Sequence, residues 1–143
     1  KLVDLFSLEK DLDLAGAGGM QLFRRNIIIY KNKFRSLFEK CKIDNCTFIG
    51  YGAARSLNFF ASFLEVDQDL QFVIEDNNEK HNKFLYSTNC PIVAFDDKLI
   101  TPNTVIIPFA WVHSDSIVDK LSTLHIPCKI LTLYPDVRLI SLD

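Results

Sequence analysis

The sequence predicts an α/β protein: a Rossmann-like three-layer sandwich on a mostly parallel sheet of about five strands, with a helical N-terminal lead-in. Three observations predict it. Short apolar runs rich in Ile, Val and Phe recur along the 143 residues. Helical patterns lie between them. The first run, in "TFIGYGAARSLNFFASFLE" at residues 47–65, passes through a glycine turn into an amphipathic segment. Near-continuous apolar runs are what a parallel sheet covered on both faces requires, and their alternation with helices is the pattern of βαβ units.

Taken in order, residues 1–25 have mixed character. Gly16, Gly18 and Gly19 in "AGAGGMQLF" disfavour a continuous helix, since glycine costs about 1 kcal/mol relative to alanine in a helix interior. This stretch reads as an extended arm, linker or lead-in loop, with the α/β domain over residues 26–143. Over residues 26–42 the apolar positions Ile28, Phe34, Leu37, Phe38 and Cys41 recur near helical spacing. Lys40 and Lys42 lie where the helix dipole favours positive charge, so a helix is expected. The strands are then "CTFIG" (46–50), "LQFVIED" (70–76), "CPIVAF" (90–95), "NTVIIPF" (103–109) and "CKILTL" (128–133). Between them lie an amphipathic helix over 53–64, a polar stretch over 77–89, an acidic link over 96–102 and a helix over 114–124. For that last helix, Ser114 to Ser116 read as the N-terminal cap and Ser116 with Asp119 as a capping box.

Composition excludes several classes. Hydrophobic residues make up 48% of the chain and charged residues 24%, too apolar for a disordered protein. The 16 Lys and Arg are scattered among 18 Asp and Glu for a net charge of −2, so no basic patch marks a nucleic-acid partner. The basic stretch "RRNIIIYKNKFR" reads as the wet face of a helix. No run approaches the ~18–20 apolar residues that span a bilayer, and no membrane partner is expected. The N-terminal "KLVDLFSLEKDLDL" lacks the long apolar segment of a signal peptide. The four cysteines lack paired CxxC spacing, so no metal site is expected, and reduced thiols in a cytoplasmic protein are the default. A first residue Lys1 in place of methionine reads as a domain cut from a longer protein.

The glycine turn is the first candidate site. After the first strand of a doubly wound sheet, the turn points the next helix's free N–H groups toward the edge where ligands bind. Gly50, Gly52, Ala53 and Ala54 provide small residues there, but Arg55 replaces the third glycine of the dinucleotide fingerprint G-x-G-x-x-G. Arg55 is either a solvated helix residue or a phosphate ligand. Tyr51 either stacks on a base or sugar or packs across the turn. Glu75 and Asp76 end the second strand, where a ribose hydroxyl would be caught; the alternative is that they only terminate it. Trp111, with Phe109, forms either an apolar wall or core, and His113 stands at the same ligand-bearing edge. His113, Ser114 and Asp115 are adjacent in sequence, which is not how a catalytic triad is assembled. No catalytic residue is assigned.

The segments "FIGYGAA", "QFVIEDNNEKHNKFLYSTNCPI" and "VIIPFAWVHSDSI", in that order over residues 47–133, resemble the C-terminal domain of the C-methyltransferases that act on nucleotide-activated deoxysugars. The resemblance implies a Rossmann-like domain that binds the nucleotide-sugar, with S-adenosylmethionine held by a separate preceding domain and no cofactor in this chain. The family's His-Gly-Gly-Ser segment, whose histidine is implicated in acid/base work, corresponds here to Ala17-Gly18-Gly19-Met20, and alanine cannot accept a proton. "LYSTNCPI" also lacks the Pro-Gly expected in that turn. A binding domain not catalytic by itself is therefore the expectation. An NAD(P)-binding oxidoreductase fragment and a non-catalytic interaction domain are the alternatives.

Overall fold

The computed structural model describes residues 2–11, 13, 16–86 and 88–142. The chain forms two compact units, one up to Lys33 and one from Phe34 onward. In the first unit, helix α1 spans Leu2–Asp11 and is followed by the start of α2, which spans Ala17–Ile43. The arm or loop expected over residues 1–25 is therefore helical at 2–11 and from Ala17 on, while residues 1, 12, 14 and 15 lie outside the described residues. The physical reason is local. Gly18 and Gly19 sit in the first turn of α2, where amides have no intrahelical acceptor. The Asp13 carboxylate takes the Gly18 N–H at 3.0 Å and the Asp13 carbonyl takes that of Gly19 at 3.1 Å. A Cβ on Gly18 would stand 2.8 Å from the Asp13 carboxylate, so the glycine is what admits this contact.

The second unit is the α/β sandwich. Strands β1 (Thr47–Tyr51), β2 (Leu70–Ile74), β3 (Ile92–Val93), β4 (Thr104–Pro108), β5 (Cys128–Leu131) and β6 (Leu139–Leu142) form a sheet of order β3-β2-β1-β4-β5-β6. The first five strands are mutually parallel, and β6 pairs antiparallel with β5. The strand runs and the parallel sheet stand as expected, with β6 added at one edge. β4 is buried along its whole length, the position for which "TVIIP" is suited.

The pleat splits the strand residues between two faces. On one, Ile49 and Tyr51 of β1 cluster with Ile74, Ile106 and Ile130 beneath Ile117 and Leu121 of helix α4 (Ser114–Thr123). On the other, Phe48 packs its ring 4.1 Å from that of Phe38, which is fully buried with Phe34 on residues 34–43 of α2. Burial of each such phenylalanine contributes roughly 1.5–3 kcal/mol. Arg35 ties this helix to the end of α3 (Leu57–Phe63) by donating to the carbonyls of Leu64 and Glu65 at 3.4 and 3.0 Å.

Two local expectations are corrected. The helix expected over 53–64 starts at Leu57, because the residues before it form a turn held by other bonds. The cap of α4 is His113, and no side chain caps it. Ser114 is already helical, with its hydroxyl buried and without a partner among the described residues. Ser114 is buried inside the first turn, one residue past the position from which its hydroxyl could cap the helix.

Candidate functional site

In an open parallel sheet, two neighbouring strands whose connections leave in opposite directions open a crevice at their carboxyl ends. Here those strands are β1 and β4, and a cleft of about 450 Å³ opens beyond them. Its polar groups come from the end of β1 (Tyr51), the end of β2 (Glu75 and Asp76), the loop after it (Lys80), and His113, Ser116 and Lys120, which run from the cap to the last turn of α4.

Two charge clusters organise it. In the first, Glu75 accepts the Ala53 N–H at 2.7 Å, the Asn77 N–H at 3.0 Å and Lys80 Nζ at 3.0 Å. Lys80 Nζ also donates to the Ala53 carbonyl at 3.0 Å. Burial disfavours the charge on Glu75, but the hydrogen bonds from Asn77, Lys80 and Ala53 outweigh it and hold its pKa below the ordinary value. In the second, Lys120 Nζ donates to the Tyr51 hydroxyl at 2.7 Å and to Asp76 Oδ1 at 2.9 Å, while the Tyr51 hydroxyl donates to the Asp76 carboxylate at 3.2 Å. The Lys120 ammonium rests 4.3 Å from the centroid of the Phe95 ring. Burial works against its charge, and the bonds to Tyr51 and Asp76 raise its pKa regardless. Burial raises the Tyr51 phenol above its usual value, against the opposing pull of Lys120.

Of the residues singled out from the sequence, Tyr51, Gly52, Glu75, Asp76 and His113 line the cleft; Gly50, Ala53, Arg55 and Trp111 do not. Gly50 is inside β1, its missing side chain making room for Val73 and Phe109. The turn's amides are committed: Gly52 N–H bonds the Ile74 carbonyl at 2.7 Å and Ala53 N–H bonds Glu75. Arg55 is exposed, and Trp111 packs edge-on against Tyr134 at 5.0 Å between ring centroids. Lys80 and Lys120 were not singled out. The signal for Lys120 was its spacing from Ser116 and Ile117, which puts all three on the helix face turned to the cleft.

Among the described residues no group of His, Cys, Asp and Glu side chains is placed to hold a metal ion, and no helix is long and apolar enough to cross a membrane.

The sheet order, with a cleft at its switch point, defines a Rossmann-like α/β domain. Residues 1–129 match the family described as the C-methyltransferase C-terminal domain, and the chain belongs to that family. No curated protein matches the sequence.

Proposed function

We propose that the cleft binds a nucleotide-sugar and that the domain presents it to a methyl-donor domain elsewhere in a sugar C-methyltransferase-like protein. The observation that carries this reading is that two ammonium groups, Lys80 and Lys120, line the cleft together with the carboxylate of Asp76. An ammonium has three N–H donors, and each of these lysines commits two within the protein. The third of each suits a diphosphate oxygen, and the spare lone pairs of Asp76 suit a ribose or sugar hydroxyl. His113 and Gly52 are also part of the lining. Glu75 acts on the ligand only through the turn and lysine that it holds.

The same donor set does not fit S-adenosylmethionine, because both carboxylates are already ion-paired and a sulfonium would face two ammonium groups. The methyl donor therefore belongs to a separate domain in this reading, and Ala17 offers no acid/base group for the transfer. The described cysteines are all free thiols, in keeping with work in the reducing cytoplasm.

The test is a thermal-shift and calorimetric screen with dTDP, UDP, GDP and CDP, their sugars, NAD, NADP and S-adenosylmethionine. One nucleoside diphosphate family should bind, with Lys80→Met and Lys120→Met each weakening it about tenfold and Arg55→Ala leaving it within about twofold. Binding of NAD or S-adenosylmethionine alone, or silence across the panel from folded protein, would reject the proposal.

A further inference from the structure

At the opposite, amino-terminal end of β1, two thiols meet a lysine. Helix α2 ends with Asn45 at φ +55°, and the reversal is closed by Asn45 N–H to the Lys42 carbonyl at 3.0 Å and Cys46 N–H to the Cys41 carbonyl at 2.9 Å. This double-bonded helix end brings the side chains at its two outer positions together, here Cys41 and Cys46. Lys129 Nζ of β5 donates to Cys46 Sγ at 3.4 Å. Cys41 is 1% exposed. Cys46 is half-buried and lines a second cleft, of about 290 Å³, with Lys42, Asp69 and Gln71.

We propose that Cys46 and Cys41 form a reversible oxidation site, Cys46 as the thiolate that meets a peroxide and Cys41 as the thiol that resolves it. A cation in contact with a half-exposed sulfur is the setting in which a cysteine reacts. Burial, the nearby Cys46 and Asp44 raise the Cys41 pKa against the pull of Lys129, which suits a thiol that stays protonated until its partner is oxidised. Cys90 and Cys128 are pushed up to about 11 by burial alone and have no such role.

The Cys46 sulfur attacks the peroxide O–O bond, giving Cys46 sulfenic acid and hydroxide. Cys41 sulfur then displaces the sulfenic oxygen: the S–S bond forms, the S–O bond breaks, and water leaves with the Cys41 proton. Two electrons pass from the thiols to the peroxide, and a small cellular thiol returns them. The product would clamp the last turn of α2 to the start of β1.

The test treats the full chain with stoichiometric hydrogen peroxide and maps its peptides without reduction, alongside iodoacetamide labelling of untreated protein. A Cys41–Cys46 disulfide reversed by dithiothreitol is expected, with Cys46 labelled faster than Cys90 and Cys128. Lys129→Met should slow Cys46 labelling about fivefold or more. Cys41→Ser should halt oxidation at a sulfenic acid that dimedone traps; should that variant not fold, Lys129→Met decides. Equal labelling of Cys46, Cys90 and Cys128, an unchanged rate in folded Lys129→Met, or oxidation only to intermolecular disulfides would overturn the proposal.

Discussion

The Glu75 carboxylate stands 2.7 Å from the Ala53 N–H, so the acid that ends β2 holds the turn that leaves β1. Glu75→Gln keeps the shape and removes the charge that draws Asn77, Lys80 and Ala53 together. It should destabilise the domain by about 1–3 kcal/mol, read from urea unfolding at neutral pH. The pH dependence has a definite direction. The folded pKa is depressed, so the stabilisation is present above the unfolded value of about 4.3 and is lost as pH falls from there through the folded pKa. Unfolding midpoints of Glu75→Gln should fall less than those of the parent across that acidic window. Parallel curves would show that Glu75 does not carry the charge that organises the turn.

Lys120 and Tyr51 are coupled through a 2.7 Å hydrogen bond. The phenol is raised by burial, and Lys120 lowers it by favouring the phenolate. Lys120→Met removes that opposing influence while burial and Asp76 remain. Tyr51 should then ionise at higher pH, seen as a later tyrosinate absorbance step. The step is assigned by repeating the titration in Tyr51→Phe, where it should vanish.

These two clusters mark the boundary of what the sequence made legible. Runs such as "QFVIE" and "NTVIIPF" identify β2 and β4 because fully covered parallel strands need apolar residues on both faces. The carboxyl ends of β1, β2 and β4 then place Tyr51, Asp76 and His113 at the edge where open α/β sheets take their ligands, by a rule of the fold alone. Spacing alone could group Lys120 with Ser116 and Ile117 but not set it against Tyr51, which it reaches from 69 residues away on a helix whose rotation only packing decides. Glu75 was legible as a residue of the site but not in its role, since a free carboxylate and one bonded to two amides look the same in sequence. β6 is a partly exposed antiparallel edge strand, and "LISL" has too little apolar length to stand out. A helical lead-in was legible, but residues 1–25 read as an arm or loop because the glycine penalty is local, whereas the Asp13 carboxylate that offsets it depends on the chain's return.

Gly52 and Gly50 separate two ways in which a glycine is required. Gly52 has φ +88°, and a Cβ there would stand 2.4 Å from the Ala110 Cβ and 3.0 Å from the Ala110 nitrogen. Gly50 lies in β1, where a Cβ would meet Val73 at 3.0 Å and the Phe109 ring at 3.1 Å. Gly50→Ala should cost about 1–3 kcal/mol as overpacking that side-chain shifts partly relieve. Gly52→Ala should cost more, since it adds backbone strain and its contacts are to a neighbouring backbone. Thermal unfolding of both variants gives the order, and an equal or reversed ranking would contradict the geometry of the turn.

Ser114 has its hydroxyl buried at the first position of α4, 3% exposed and without a hydrogen-bond partner among the described residues. A buried polar group left unsatisfied carries a desolvation penalty that its removal relieves. Ser114→Ala keeps the shape, deletes only that oxygen, and replaces serine with the best helix former. It should therefore raise stability by up to about 1 kcal/mol, measured as a higher urea midpoint with an unchanged slope. A fall of similar size would mean that the hydroxyl has a partner after all, and with it a part in holding His113 in the lining of the cleft.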